Sequence, residues 1–190
     1  MSSYDITLPV DNDMWCYQSG WDNKITALSD TNEGDTDTVY RFDLCSHTGT
    51  YIETAGHKLC GQHNLSDLPP SAFCRQRTAV IRVQPDARAC ITLNAFLAAL
   101  SAGLQTNDMP SSVIVASGWG SEYSHVDYLP KAPWFEAQLT DHIAALGLHI
   151  LGVDTPIIDN QQQPYDAVKR LFETNPQCLL LAPLTLSEKI

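Results

Sequence analysis

Four side chains able to move protons or hold a metal ion are packed into the run SHTGTYIETAGHK (46–58): His47, Tyr51, Glu53 and His57. If that run is extended, alternation turns His47, Gly49, Tyr51, Glu53, Ala55 and His57 to one side. Two imidazoles, a carboxylate and a phenol then share a surface. A nitrogen and oxygen donor set of this kind suits zinc, manganese or iron in a hydrolytic site. It also suits proton transfer without any ion, because histidine and glutamate act as bases and tyrosine donates to a developing enolate or alkoxide. The plain alternative is a set of solvated residues on the exposed face of a strand.

Such a run needs a scaffold. The stretch TVYRFDLCSHTGTYIET alternates as a half-buried strand does, and YDITLPV (4–10) reads as a short strand in a loop-rich N-terminal third. The second half is more regular, with strand runs TAVIRV (78–83), SVIVAS (112–117), HILGVD and CLLLAPL. TLNAFLAALSAGL (92–104) places Leu93, Phe96, Leu97 and Leu100 on one helical face, with Thr92 as N-cap and Gly103 near the stop. PWFEAQLTDHIAALGL (133–148) does the same with Phe135, Leu139, Ile143 and Leu146, between Pro133 and Gly147. Strands alternating with single helices imply crossover connections and an α/β sheet. Ligand sites in such sheets gather at the carboxyl ends of strands. The loops SGWGSEYSH and DTPIIDN lie there, and they suit a pocket lining or an ordinary connection equally.

The 190 residues are read as one domain, 1–190, long enough to bury a core. A net charge of -11 argues against nucleic acid and anionic membrane surfaces, since both call for a basic face. The acidic tract SDTNEGDTDTVYRFDL (29–44) is read as a solvated loop, because it lacks EF-hand ligand spacing. No basic segment followed by an apolar run opens the chain, so no signal peptide is expected. The longest apolar runs are too short to span a bilayer. A cytoplasmic protein with six reduced, mostly buried thiols follows as the expectation, with Cys45 and Cys60 among the buried ones.

The run 46–58 resembles the H-x-G-T-H-x-D-x-P-x-H signature of the cyclase family, whose best-known members are bacterial kynurenine formamidases. Further blocks follow in the family's order: YDITLPVDNDMW, SSVIVASGWG, FEAQLTDHIAALGLHILGVDTPIID and LLLAPLTL. The resemblance implies an α/β swivelling β/β/α fold, a homodimer or homotetramer, and a metal-activated water that attacks an amide, ester or lactam carbonyl. It also implies roles. His47 matches the first metal-ligand histidine, Glu53 stands where the bridging aspartate ligand stands, and His57 matches the general acid/base.

The chain departs from this pattern where ligands are counted. Tyr51 fills the place of the second ligand histidine, and a phenol with an ordinary pKa near 10 is a poor zinc ligand. Ala55-Gly56 replaces a residue-proline pair. The downstream histidine and glutamate pair has no clear counterpart, with Tyr165 or Asp166 and Glu173 standing roughly there. At most one divalent ion, zinc or manganese, is therefore expected, on His47 and Glu53 with a third ligand from His57, Asp154, Asp166 or water. Three readings stand: a hydrolase of a small amide, lactam or lactone; a metal-free lyase, dehydratase or cyclase using Tyr51, Glu53, His47 and His57; and a non-catalytic binding protein on the same fold. Trp15, Trp119 and His125 are candidate substrate contacts, with Trp21 as a further stacking ring. His63 is a spare ligand, and His142 and His149 read as structural.

Overall fold

The four apolar runs of the second half form the heart of one sheet. The computed structural model describes residues 3–103 and 109–187. Its strands in chain order are β1 (Lys24–Ser29), β2 (Val39–Asp43), β3 (Tyr51–Glu53), β4 (Thr78–Arg82), β5 (Cys90–Ile91), β6 (Ser112–Ala116), β7 (Trp134–Phe135), β8 (Ile150–Val153) and β9 (Leu179–Ala182). Among the described residues three α-helices accompany them: α1 (Leu93–Gly103), α2 (Ala137–Ala145) and α3 (Ala167–Thr174).

The main sheet has the order β3-β9-β8-β6-β4. β4, β6, β8 and β9 run parallel, as crossover connections require, and β3 closes one edge antiparallel to β9. Alternation along the central strands sends Ile81, Val113, Val115, Leu151, Val153, Leu180 and Ala182 to the helical face, into one core with Phe96, Leu139, Ile143, Leu171 and Phe172. β6, central in the sheet, is buried at every residue. Thr92 caps α1 as expected, accepting from the Ala95 amide at 3.2 Å, and Glu136 takes the Leu93 amide at 3.0 Å. The α/β expectation holds, and it is the parallel half of the chain that carries it.

Several boundaries differ from the sequence reading. Residues 4–10 form no strand: the Leu8 amide bonds the Thr50 hydroxyl at 2.9 Å and the Ile6 carbonyl takes the Thr185 amide, so the segment is tied by single bonds and not by a ladder. The stretch around β2 is not one half-buried strand. β2 pairs with β1 in a separate ribbon and is exposed at all its positions, and 44–50 is irregular. The second helix starts only at Ala137, because Trp134–Phe135 pair with Cys90–Ile91. Leu104, the last residue of the first helical pattern, lies outside the described residues. α3 was not anticipated, although Ala167, Val168, Leu171 and Phe172 fall on one face of its eight residues. The thiols are also less buried than expected: Cys90 and Cys178 are buried, Cys16 and Cys45 are half-buried, and Cys60 and Cys74 are exposed. No helix among the described residues is long and apolar enough to cross a membrane.

Candidate active site

The short edge strand β3 aims the chemistry. Its register sets Tyr51 opposite Ala182 and Glu53 opposite Leu180, so both side chains leave the sheet on the helical face. Chain bends bring the histidines to the same place. Before β3, Gly49 takes a left-handed conformation at φ 64°, where a Cβ would also stand 2.7 Å from Val10. Thr50 pins this bend, with its hydroxyl donating to the Pro183 carbonyl at 2.5 Å. After β3, a 3-10 turn at Ala55–His57 folds the chain back. Gly56 fits because any Cβ would lie 2.6 Å from the His63 carbonyl oxygen. Continuous extension over 46–58 is thus replaced by a three-residue strand between two bends.

The result is a compact cluster. His47 Nε2 lies 3.7 Å from Glu53 Oε1, and His57 Nε2 lies 3.7 Å from Glu53 Oε2. The Ser46 hydroxyl holds His47 Nδ1 at 3.0 Å, which leaves Nε2 to face the carboxyl. The rings of His47 and His57 are 4.9 Å apart, and Tyr51 packs 4.6 Å from His47. Glu53 is 9% exposed, and its Oε2 has no hydrogen-bond partner among the described residues. Burial raises its pKa from 4.5 to about 7, against opposing pulls from the Lys58 charge and the Tyr51 phenol. Burial first, and then the Glu53 charge, pushes the Tyr51 phenol well above its ordinary range, so it stays protonated. Burial also lowers both imidazoles below 6.5, helped at His47 by His57 and at both by Lys58. At neutral pH the two rings are therefore uncharged.

These residues fit a metal ion. One ligand atom from each of His47, Glu53 and His57 lies within 4.8 Å of the others. Tetrahedral ligands at zinc distances stand roughly 3.4 Å apart, so His47 Nε2 and Glu53 Oε1 at 3.7 Å need a small closure and the full trio a larger one. The orphaned Glu53 Oε2 is what such a site leaves behind, since a buried carboxyl oxygen without a partner is costly. A cavity of about 200 Å³ adjoins the cluster, walled by Tyr17, Trp21, Lys58, Val153, Thr155 and neighbouring apolar side chains. It meets a broader open groove of about 1090 Å³ past Ser46, Asn64, Leu65 and Phe73.

A family model described as "Putative cyclase" matches residues 4–160. The chain belongs to the cyclase family. No curated protein gives a significant sequence match. Among solved structures, a predicted metal-dependent hydrolase from Bacillus stearothermophilus is 20% identical, with a TM-score of 0.71 over 97% of this chain and 83% of the other. Isatin hydrolase A from Ralstonia solanacearum is 18% identical, with a TM-score of 0.75 over 98% of this chain and 80% of the other. An isatin hydrolase bound to the product analogue thioisatinate is 15% identical, with a TM-score of 0.77 over 98% and 80%. At these identities the likeness is one of fold.

Against the cyclase pattern, the outlying candidates separate from the cluster. Asp154 is 1% exposed and fully engaged, accepting from the Ser117 amide, the Ser117 hydroxyl and the Gly118 amide at 2.7–2.9 Å. It ties the ends of β6 and β8 and lies outside the His47, Glu53 and His57 group. Asp166 pairs with Lys58, Glu173 pairs with Lys169 on the exposed side of α3, and the Tyr165 hydroxyl donates to the Phe135 carbonyl. None of Trp15, Trp119 and His125 lines the cavity. The Trp119 indole donates to the Tyr128 carbonyl, Trp15 packs edge-on against Tyr128, and His125 borders a separate depression. The rings beside the cluster are Trp21, 5.3 Å from His47, and Tyr17, stacked on Trp21 at 5.9 Å. Ser46, Lys58, Tyr17 and Thr155 were not singled out in the sequence, because only the bends around β3, the N-terminal loop and the loop after β8 bring them here. His63 keeps its Nε2 buried and unpartnered outside the cluster, and His149 is structural, bonding the Ala72 carbonyl at 2.7 Å.

Proposed function

We propose that the protein is an enzyme that hydrolyses a small amide, lactam or lactone, with one divalent cation, zinc or manganese, held by His47 and Glu53 and with His57 as general acid/base. One observation carries the reading: a buried carboxyl with an orphaned oxygen stands 3.7 Å from neutral imidazoles on both sides. Similar folds described as metal-dependent hydrolase and isatin hydrolase support it. A bound cation supplies a Lewis acid that polarises the carbonyl and acidifies water. The chain's own residues do the rest. Ser46 fixes the ring of His47, the Tyr51 phenol favours the ionised form of Glu53, and the apolar walls exclude bulk water. His57, the more open of the two histidines at 34% side-chain exposure, takes the proton of the attacking water and returns it to the leaving nitrogen or oxygen. The carbonyl carbon gains the water oxygen and loses its bond to the leaving group.

A second reading has its own support. A carboxyl with a pKa of about 7 beside neutral imidazoles and a protonated phenol is a complete proton-transfer set for a lyase or ring closure. Metal analysis of chelator-free protein, with turnover of amide, lactam and lactone panels before and after chelation, separates the two. The hydrolase reading expects metal and chelator-sensitive activity in the parent, activity lost but metal kept in His57→Ala, and both lost in Glu53→Gln. Below roughly a tenth of an ion per chain, with turnover surviving chelation, the hydrolase reading is wrong. Metal lost along with activity in His57→Ala would make His57 a ligand instead.

A further inference from the structure

Lys58 ends the run that carries the site, and among the described residues it is the single lysine or arginine lining the 200 Å³ cavity. Its ammonium stands 3.5 Å from Asp166 Oδ1, with 35% of the lysine side chain exposed. The arrangement around Asp166 is unusual. It occupies the N-cap of α3, yet its side chain makes no capping bond, and its backbone is left-handed at φ 56°. A capping carboxylate normally stabilises a helix by about 1 kcal/mol, and a left-handed non-glycine residue costs a similar amount. Two local preferences are thus set aside at the residue that faces Lys58. Also lining the cavity, Thr155 is 1% exposed and its Oγ1 has no hydrogen-bond partner among the described residues. The same cavity is lined by the stacked Tyr17 and Trp21 rings and by Val153 and Leu180, beside the His47, Tyr51, Glu53 and His57 cluster. Lys58 lines the same cavity as His47, Glu53 and His57. In a chain of net charge -11, a lysine at this cavity favours anionic ligands locally.

We infer that the cavity takes a small planar compound bearing a carboxylate, that Lys58 binds this carboxylate in exchange for Asp166, and that the Thr155 hydroxyl hydrogen-bonds the buried end. The inference rests on the hydrolase reading only in making that compound the substrate; carboxylate binding itself stands apart from any reaction. Lys58 is here a specificity-determining residue. The Asp166 carboxylate is its resting partner, which keeps the ammonium oriented and weak anions out.

Calorimetric titration of the whole chain with benzoate, and with benzamide as its uncharged counterpart, tests this. Benzoate is expected to bind better than benzamide, by an advantage that shrinks with added salt. K58M lowers benzoate affinity roughly fivefold and leaves benzamide unchanged, the factor expected of a part-exposed ion pair. K58R restores benzoate binding. D166N, which keeps a residue tolerant of the left-handed backbone, strengthens benzoate binding by about twofold or more by releasing Lys58. A carboxylate that settled on an ion at His47 and Glu53 would bind K58M as tightly as the parent, and that result overturns the inference. So does a D166N protein that weakens in step with K58M, which makes the pair a structural clasp, and so does an absence of benzoate binding at millimolar concentration. Failure of the hydrolase reading appears elsewhere, in metal content and turnover, both read independently of benzoate affinity.

Discussion

Replacing Glu53 with glutamine is expected to stabilise the protein at neutral and alkaline pH while abolishing its function. Burial lifts the Glu53 carboxyl from 4.5 to about 7 in the folded chain, whereas the unfolded chain keeps the ordinary value. Below pH 4.5 both states hold the proton and Glu53 costs nothing. As pH rises from there to about 7, the unfolded state gives its proton up first, and folding stability falls through that window. The full loss is about 3 kcal/mol, reached above the folded pKa. His47 and His57 act with the opposite sign: burial depresses them, so their contribution is present above 6.5 and is lost as pH falls through their folded values. The parent's own pH curve therefore mixes the two, and the difference between parent and Glu53→Gln isolates the carboxyl. In chelator, guanidinium unfolding should show the variant gaining about 2–3 kcal/mol on the parent between pH 4.5 and pH 8, with equal m-values. In thermal scans at pH 8 the same gain appears as roughly 5–10 °C. Zinc then discriminates further, stabilising the parent by about 2.7 kcal/mol at a hundredfold excess over its Kd and the variant by little or nothing. A difference that stays flat from pH 4.5 to pH 8, or one that moves against the variant as pH rises, would falsify the placing of Glu53 as a buried, unpartnered carboxyl.

Two other substitutions probe its neighbours. Ser46→Ala removes the 3.0 Å bond that orients His47, and it should weaken metal retention in a chelator competition by about tenfold to a hundredfold; unchanged retention would mean that the ring needs no such support. Tyr51→His puts an imidazole beside Glu53 in place of a phenol that stays protonated, so the ion content of purified protein should rise and survive a stronger chelator; an unchanged content would show that Tyr51 is not what limits the site.

The parallel half of the fold was legible because its signals are local and redundant. A buried run such as SVIVAS can only be an inner strand or a helix fragment, and the flanking helical patterns of Phe96 and Leu139 choose between them. The N-terminal third was not legible in the same way. β2 carries Tyr40 and Phe42 at the spacing of a half-buried strand, yet both are exposed, since periodicity says which residues share a face and not whether anything covers it. The aromatic wall failed for a related reason. Trp15, Trp119 and Trp21 are alike as letters in loops, and only the fold turns Trp21 toward His47 and fixes Trp119 on the Tyr128 carbonyl.

The run 46–58 shows most clearly where such reading stops. A shared strand face includes His47, Tyr51, Glu53 and His57 but does not bring them within reach of one another. In an extended strand each residue advances about 3.3 Å, so His57 would lie roughly 13 Å from Glu53 and His47 roughly 20 Å away on the other side. No metal site and no proton relay could form across such spans. The cluster exists because extension is broken twice, by the left-handed bend at Gly49 and by the turn at Ala55–His57, which together leave both imidazole nitrogens 3.7 Å from one carboxyl. The two glycines of the run are therefore as much a part of the site as its histidines: one accepts a backbone that side chains resist, and the other lets the turn close on the His63 carbonyl. The same turn carries Lys58 around to the cavity mouth, so the bend that gathers the reactive groups also supplies the cation that selects what reaches them.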